Sequence, residues 1–319
     1  MLRDRMTGTP HAKPPVPVRR PVDLRALLLM VLLCATWGFQ QVAIKSVAAD
    51  IAPIMQLTLR FGLAALFFAA LVLVREGRST FADGSLRSGL LLGALFSLEF
   101  VCVGQSLKHT SAAHSVVFLY SAPIFTAIGM QFLPDEQLNL RQWGGILVAF
   151  LGIAVAFLGY RTMFAPEMLS GDLLALLGGI TWGAANTALR RGRIGSTTAA
   201  KTVLYQVGTA TVLLWAFAYL TGQQRVVPSG AAIVSVAFQT VVISIGSYLL
   251  WFWMLRRYLT SRLMLISFLT PLFGVLFGAL LLGDRIDVNF GIGSLLVLAG
   301  ILIVNAPGNL RRPRRQNAA

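Results

Sequence analysis

The sequence is short of charge, and above all of negative charge. Only 12% of its 319 residues are charged, with 12 acids against 27 bases. A soluble domain carries about 25% charged residues. A chain this poor in charge cannot cover a water-facing surface, so most of it must lie in a bilayer. Cysteine is nearly absent. Cys34 and Cys102 are the only two, both inside apolar runs, which excludes a disulfide framework. They read as small buried hydrophobes. No Cys/His spacing offers a metal site, and no Walker-type loop is present, which argues against direct ATP hydrolysis. No cofactor is expected. No connection between apolar runs is long enough for a soluble catalytic domain. An intramembrane enzyme would need clustered Asp or His within the spans, and only Arg60, Glu99 and His114 are on offer.

What the sequence has is hydrophobic length, with 56% hydrophobic residues. A transmembrane helix takes about 20 mostly apolar residues to cross roughly 30 Å of hydrocarbon. Ten runs meet that template: 25–47, 53–74, 86–107, 111–133, 141–160, 171–190, 198–220, 230–254, 261–282 and 288–306. Strand alternation is absent from them, and lipid tolerates only helices or closed barrels. The expected fold is all-α, integral to the membrane. The first run lacks a small-residue cleavage site and is followed by nine more, so it reads as a span, not a signal peptide. Residues 1–22 and 307–319 read as basic tails, the first of them disordered.

The net charge of +15 would suggest nucleic acid in a soluble protein. Here the bases sit in short clusters between apolar runs, and no basic surface survives for DNA or RNA. Their distribution sets orientation instead. With the N-terminus inside, 21 Lys and Arg fall on the inner side and five on the outer, Lys45, Lys108, Arg161, Arg225 and Arg285, with Arg60 left within a span. Both termini are therefore expected in the cytoplasm of a bacterial inner membrane.

An internal repeat is the most specific feature. Thr36-Trp37-Gly38 recurs as Thr181-Trp182-Gly183, 145 positions on, and Gln41 and Lys45 match Asn186 and Arg190. At an offset of 148, Leu107-Lys108 matches Leu255-Arg256, Pro123 matches Pro271, Glu136 matches Asp284, Gly145 matches Gly293 and Gly152 matches Gly300. Two repeats, 23–160 and 168–306, each hold five spans. Five is odd, so the second copy enters from the opposite side, and the halves are related by an axis in the membrane plane. Secondary transporters are built this way because two inverted halves can exchange shapes.

The same residues resemble the EamA-type members of the drug/metabolite transporter superfamily. The likeness rests on Trp37-Gly38, Ala43-Ile44-Lys45, Arg60-Phe61, Tyr120-Ser121-Ala122-Pro123, Asp135-Glu136 and the Arg141 to Ile146 run. The second copy answers with Gly171-Asp172, Thr181-Trp182-Gly183, Leu269-Thr270-Pro271, Gly283-Asp284 and Gly291-Ile292-Gly293. The resemblance spans residues 25–306. It implies ten helices in two five-helix repeats and transport of small organic solutes, commonly amino acids or related metabolites and often outward.

Ionisable groups deep in a membrane are functional candidates by default. Arg60 lies about 5 Å outward of the middle of the second span and Glu99 about 4 Å outward of the middle of the third. At similar depth and opposite charge, they pair with each other or flank a solute carrying both charges, unless Arg60 instead reaches toward the outer interface by snorkelling. Glu99 is also a candidate for proton coupling, as is His114 near the outer start of the fourth span. Trp37 and Gln41 share a helix face, as do Trp182 and Asn186. These four suit a cavity wall, with an aromatic ring for an apolar portion and an amide for a head group. Helix–helix hydrogen bonding is the alternative for the amides. Tyr120, Tyr248 and Trp251 complete the candidate substrate-binding set, and Pro123 and Pro271 should interrupt their helices at equivalent points. The glycine pairs read as helix-packing positions.

The function expected is therefore a secondary transporter working by alternating access, exporting amino acids or related amphipathic metabolites. Its partners are a small solute, the bilayer and, as a coupling ion, the proton; it works as a monomer or a homodimer. An importer with the same fold, or a non-transporting assembly or enzyme component, are the alternatives.

Overall fold

The computed structural model describes residues 20–133, 136–158, 168–283 and 288–305. Most of the two tails, together with Asp135, Arg161, Asp284 and Arg285, lie outside those residues. Among the described residues ten helical rods follow one another: α1 (Leu24–Ser46), α2 (Pro53–Glu76), α3 (Leu86–Ser106), α4 (Ala112–Gln131), α5 (Leu140–Leu158), α6 (Leu169–Arg191), α7 (Ala199–Leu220), α8 (Gly230–Arg257), α9 (Thr260–Leu282) and α10 (Val288–Asn305). No strand occurs among the described residues; only two isolated backbone bridges do. Nine of the rods are long and apolar enough to cross a membrane. The other, α6, has the length, 23 residues, but carries Asp172, Asn186, Arg190 and Arg191. It keeps Gly171, Asp172, Ala175, Gly178 and Gly179 buried within the protein instead of in lipid.

Local chemistry sets the helix ends. The Asp23 carboxylate accepts the Ala26 N–H at 2.7 Å to start α1, and Ser111, Thr198 and Ser229 cap α4, α7 and α8 in the same way. Pro53 opens α2, where its missing N–H costs nothing. Arg256 and Arg257 sit in the last turn of α8, favourably placed against its dipole, which extends that rod past the expected position 254. Large side chains such as Leu28, Leu66, Val212 and Leu280 are exposed all round the bundle, which suits a hydrocarbon solvent.

The two halves are inverted copies. α5 and α10 occupy equivalent places in the repeat, and they pack against each other running in opposite directions. A Cβ added to Gly145 would lie 2.9 Å from the Gly300 carbonyl oxygen, and one added to Gly152 would lie 2.7 Å from that of Gly293. A second pair of contacts obeys the same exchange. Gly38 of α1 lies against Phe273 of α9, and Gly183 of α6 against Phe125 of α4.

Two helices are broken at matching positions. α4 divides into Ala112–Leu119 and Ala122–Gln131, with Pro123 in the first turn of the second piece. α9 divides into Thr260–Ile266 and Leu269–Leu282, ahead of Pro271. One feature has no counterpart. Within α8 the backbone widens to a π-helical stretch over Gln239–Ser247, whereas the equivalent residues 91–99 of α3 are plain α-helix. Such stretches expose backbone groups in mid-helix and recur at functional sites.

Candidate functional site

Six of the candidate residues fall into two aromatic groups and one centred on a buried charge. In the first group, the Trp37 Nε1–H of α1 donates to Ser247 Oγ of α8 at 2.9 Å. Its ring meets Trp251 edge-on, with centroids 5.6 Å apart. In the second, Trp182 of α6 meets Tyr120 edge-on at 5.6 Å. Tyr120 in turn lies 6.4 Å from Phe268. Tyr120 and Phe268 are 148 positions apart, so they are equivalent residues meeting across the axis that relates the halves.

The charged group centres on Arg60. Its side chain is fully buried, and none of its three guanidinium nitrogens has a hydrogen-bond partner among the described residues. The guanidinium carbon lies 4.7 Å from the Phe61 ring centroid and 6.0 Å from that of Phe100. Tyr248 closes the surround, 6.3 Å from Phe61 and 5.9 Å from Phe96. Phe96 and Phe100 stand one turn apart on α3 and touch each other at 4.9 Å, so one helix face supplies two walls. Glu99 is half-buried, and it forms no ion pair with Arg60 among the described residues. Similar depth does not make the two groups neighbours, because α3 turns Phe100 toward Arg60.

The other candidates separate from this centre. Asn186 is buried, and its Nδ2 donates to the Trp182 carbonyl at 3.0 Å and reaches Met264 Sδ at 3.5 Å. It ties α6 to itself and to α9. Gln41, its equivalent on α1, is exposed. His114 is buried near the start of α4, where its Nδ1 lies 3.0 Å from Asp172 Oδ2. Asp172 also accepts from the Thr110 hydroxyl at 2.6 Å, and His114 Nε2 has no hydrogen-bond partner among the described residues. This cluster joins the α3–α4 turn to α6, away from Arg60.

Sequence reasoning missed several contributors. Ser247, at the position equivalent to Glu99, is not among the sequence candidates, yet it holds Trp37. The phenylalanines around Arg60 were legible as an i, i+4 pair on α3. A buried amide pair was not singled out either. Gln239 Nε2 donates to Gln56 Oε1 at 2.8 Å, joining the start of the π-helical stretch to α2. At the far end of α4, Glu136 Oε1 accepts from Arg190 Nε at 2.8 Å, and its Oε2 accepts the Ser261 N–H at 3.2 Å. That carboxylate ties α6 and α9 together. No group of three or more His, Cys, Asp or Glu able to hold a metal occurs among the described residues.

The sequence profile of the EamA-like transporter family matches this chain twice, over residues 24–158 and 169–306. The chain belongs to the EamA-like transporter family. As an EamA-like protein it is similar to "Uncharacterized transporter YoaV" of Bacillus subtilis, at 22% identity over 88% of this chain and 96% of that protein. It is 29% identical to "Uncharacterized protein PA1977" of Pseudomonas aeruginosa, over 93% and 99%. It is 27% identical to a protein of Escherichia coli named "Probable amino-acid metabolite efflux pump", over 86% and 93%. A solved crystal structure 21% identical in sequence superposes with a TM-score of 0.73, covering 88% of this chain and 98% of that one, a likeness of fold. The EamA-like chain is thus a multi-pass membrane protein of a transporter family, with two family units in one polypeptide.

Proposed function

We propose that this EamA-like protein is a secondary transporter that exports amino acids or related amphipathic metabolites across the bacterial inner membrane, with both termini in the cytoplasm. The units 23–160 and 168–306 rock against each other and open the central path to each side in turn. The observation that carries the solute class is Arg60. A guanidinium offers five N–H donors in a planar fork that matches a carboxylate. Held fully buried with no hydrogen-bond partner among the described residues, it costs several kcal/mol that a solute carboxylate would offset. The surrounding Phe61, Phe100 and Tyr248 suit an apolar or aromatic portion beside that anion. The name of the Escherichia coli relative, and the same name on a relative from Salmonella typhimurium at 26% identity, agree with such a solute.

Trp37, Tyr120, Trp182 and Trp251 form the remaining apolar wall in this reading. Gln41 joins them from its exposed position, and Asn186 steadies Trp182 from behind. Glu99 takes the ammonium end of a zwitterion or a coupling proton. His114 is the second proton candidate, acting through Asp172. The breaks at Pro123 and Pro271 let α4 and α9 bend as the halves move.

Metabolite profiling of medium from cells with and without the chain, followed by flux of the enriched solute in proteoliposomes, tests the reading. A saturable flux of a carboxylate-bearing solute is expected, reduced at least tenfold in Arg60→Gln with the protein still monodisperse. Saturable flux of a solute without an anionic group, unchanged in Arg60→Gln, overturns the solute class. Uptake with no export overturns the direction, and no flux of any enriched solute overturns transport.

A further inference from the structure

A cleft of about 430 Å³ opens between α1, α7 and α8, lined by Arg25, Leu29, Ala199, Leu249, Leu250 and Trp253. Arg25 is the one charged residue of that lining, which is otherwise apolar apart from the indole N–H of Trp253. Arg25 lies 6.0 Å from the Trp253 ring centroid, and Arg257 lies 4.4 Å from it. The Arg20 N–H donates to the Arg257 carbonyl at 2.9 Å, and the Leu259 N–H to the Arg20 carbonyl at 3.2 Å, so a third arginine is held at the same corner. All three are exposed, and none forms an ion pair with a carboxylate among the described residues. The nearby Asp23 is occupied in capping α1.

From the juxtaposed guanidiniums and apolar cleft we infer that this is a binding site for an anionic phospholipid, its phosphate on Arg25 and Arg257 and an acyl chain along Leu29, Leu249 and Leu250. The spacing fits that occupant. Leu29 lies one turn beyond Arg25, about 6 Å deeper along α1, which is the step from head group to acyl chain. Trp253, whose amphipathic ring lines the cleft beside both guanidiniums, marks the interface between them. Basic pockets between helices near a membrane surface select anionic head groups in this way. The inverted repeat supplies an internal comparison. At the offsets of the two halves, Arg25, Leu249, Leu250 and Trp253 correspond to Ser170, Val101, Cys102 and Gln105. The opposite end of the molecule therefore carries neither the guanidinium nor the indole, and the site exists on one side only. It also touches both α1 and α8, the pair that Trp37 and Ser247 join deeper in the bundle. A lipid seated there sets how far those helices separate.

The test uses the full chain in nanodiscs, with tryptophan fluorescence quenched by phospholipids brominated on their acyl chains. Brominated phosphatidylglycerol is expected to quench the wild type more strongly than brominated phosphatidylcholine, and Trp253→Phe should remove that excess. Arg25→Gln with Arg257→Gln should weaken the preference by about fivefold for each arginine, at roughly 1 kcal/mol per basic residue near the surface. Both positions are exposed, so folding should survive, which size-exclusion chromatography checks; Arg25→Lys with Arg257→Lys should keep most of the preference. Equal quenching by the two lipids overturns the site, as does an excess that survives in the double glutamine variant. Loss of the excess on adding millimolar inorganic phosphate assigns the arginines to a soluble anion and also overturns it.

Discussion

Adjacent glycines in α5 should respond to alanine in opposite ways. Gly144 and Gly145 differ by one position, yet a Cβ at Gly144 meets nothing within 4 Å, whereas one at Gly145 falls 2.6 Å from Val304 Cγ2 and 2.9 Å from the Gly300 oxygen. Gly152 is tighter in kind, since its Cβ would lie 2.7 Å from both the Gly293 oxygen and the Val297 nitrogen. Those atoms are backbone and cannot rotate aside, so the helices themselves must separate. Gly144→Ala should stabilise, by up to about 1 kcal/mol from helix propensity. Gly152→Ala should destabilise by about 1–3 kcal/mol, the usual cost of overpacking. The pair is separated by about 2–4 kcal/mol, or roughly 5 °C and more in thermal midpoint. Gly300→Ala, the equivalent change in the other half, should match Gly152→Ala within error. Combining the two should cost less than the sum, because helices already pushed apart leave room for the second methyl. Differential scanning fluorimetry of the purified variants in one detergent measures all of this. Equal midpoints for Gly144→Ala and Gly152→Ala would refute the antiparallel α5–α10 contact. A Gly300→Ala protein as stable as Gly291→Ala, whose position is also open, would refute the symmetry.

Glu136→Gln removes the carboxylate 2.8 Å from buried Arg190 and weakens the acceptor for the Ser261 N–H. A loss of about 3 kcal/mol is expected, with part of it recovered when Arg190→Gln is added, as a thermal double-mutant cycle will register. Trp37→Phe loses the hydrogen bond to Ser247 but keeps an aromatic ring against Trp251. It and Ser247→Ala should each cost about 1 kcal/mol and be no worse together, measured as solute affinity; additive losses would mean the bond does not matter. Lys201 of α7 donates from Nζ to Asp83 Oδ2 in the α2–α3 connection at 2.7 Å, and this bond, with help from Ser85, holds the Asp83 carboxyl down at about 2. Because the folded value lies below the ordinary one, the stabilisation is full above pH 4 and fades as pH falls toward 2. The wild type should therefore exceed Asp83→Asn in thermal midpoint by a constant margin from pH 5 to 8, with the margin shrinking below pH 4. A margin that varies across the neutral range would sink this assignment.

The bundle was legible because hydrocarbon imposes a length on every span and the repeat imposes an order on the spans. The glycine pairs, the paired breaks ahead of Pro123 and Pro271, and the odd number of spans per copy all lie in the residue order itself. Azimuth was not legible. Arg60 and Glu99 share a depth, but a one-residue step on α3 is a turn of about 100°, enough to face Phe100 toward Arg60 in place of Glu99. Gln41 and Asn186 match in register and chemistry, yet one is exposed and the other bonds Met264, because their neighbours across the interface differ. The π-helical stretch of α8 was invisible for another reason. Hydropathy reports what a side chain prefers to face, not which carbonyl its amide bonds, so Gln239–Ser247 read as ordinary span.

These failures share a location. Where the halves agree, at Gly145 and Gly293, Gly152 and Gly300, or Gly38 and Gly183, the residues serve packing and exchange under the two-fold relation. Where they disagree, one half has Arg60 and Glu99, and the other has Ser247 and the widened turn of α8. A perfectly symmetric carrier would offer any solute two identical and opposed half-sites. An amino acid has one carboxylate, one ammonium group and one side chain, and no two-fold axis maps it onto itself. In the proposed reading, telling the two ends of such a solute apart falls to Arg60 and Glu99, which break the repeat, while Trp37 and Trp182, which keep it, supply like walls from both halves. On that division, replacing a symmetric glycine should damage stability in either half alike, and replacing Arg60 should change which solute is carried with little change in the fold that carries it.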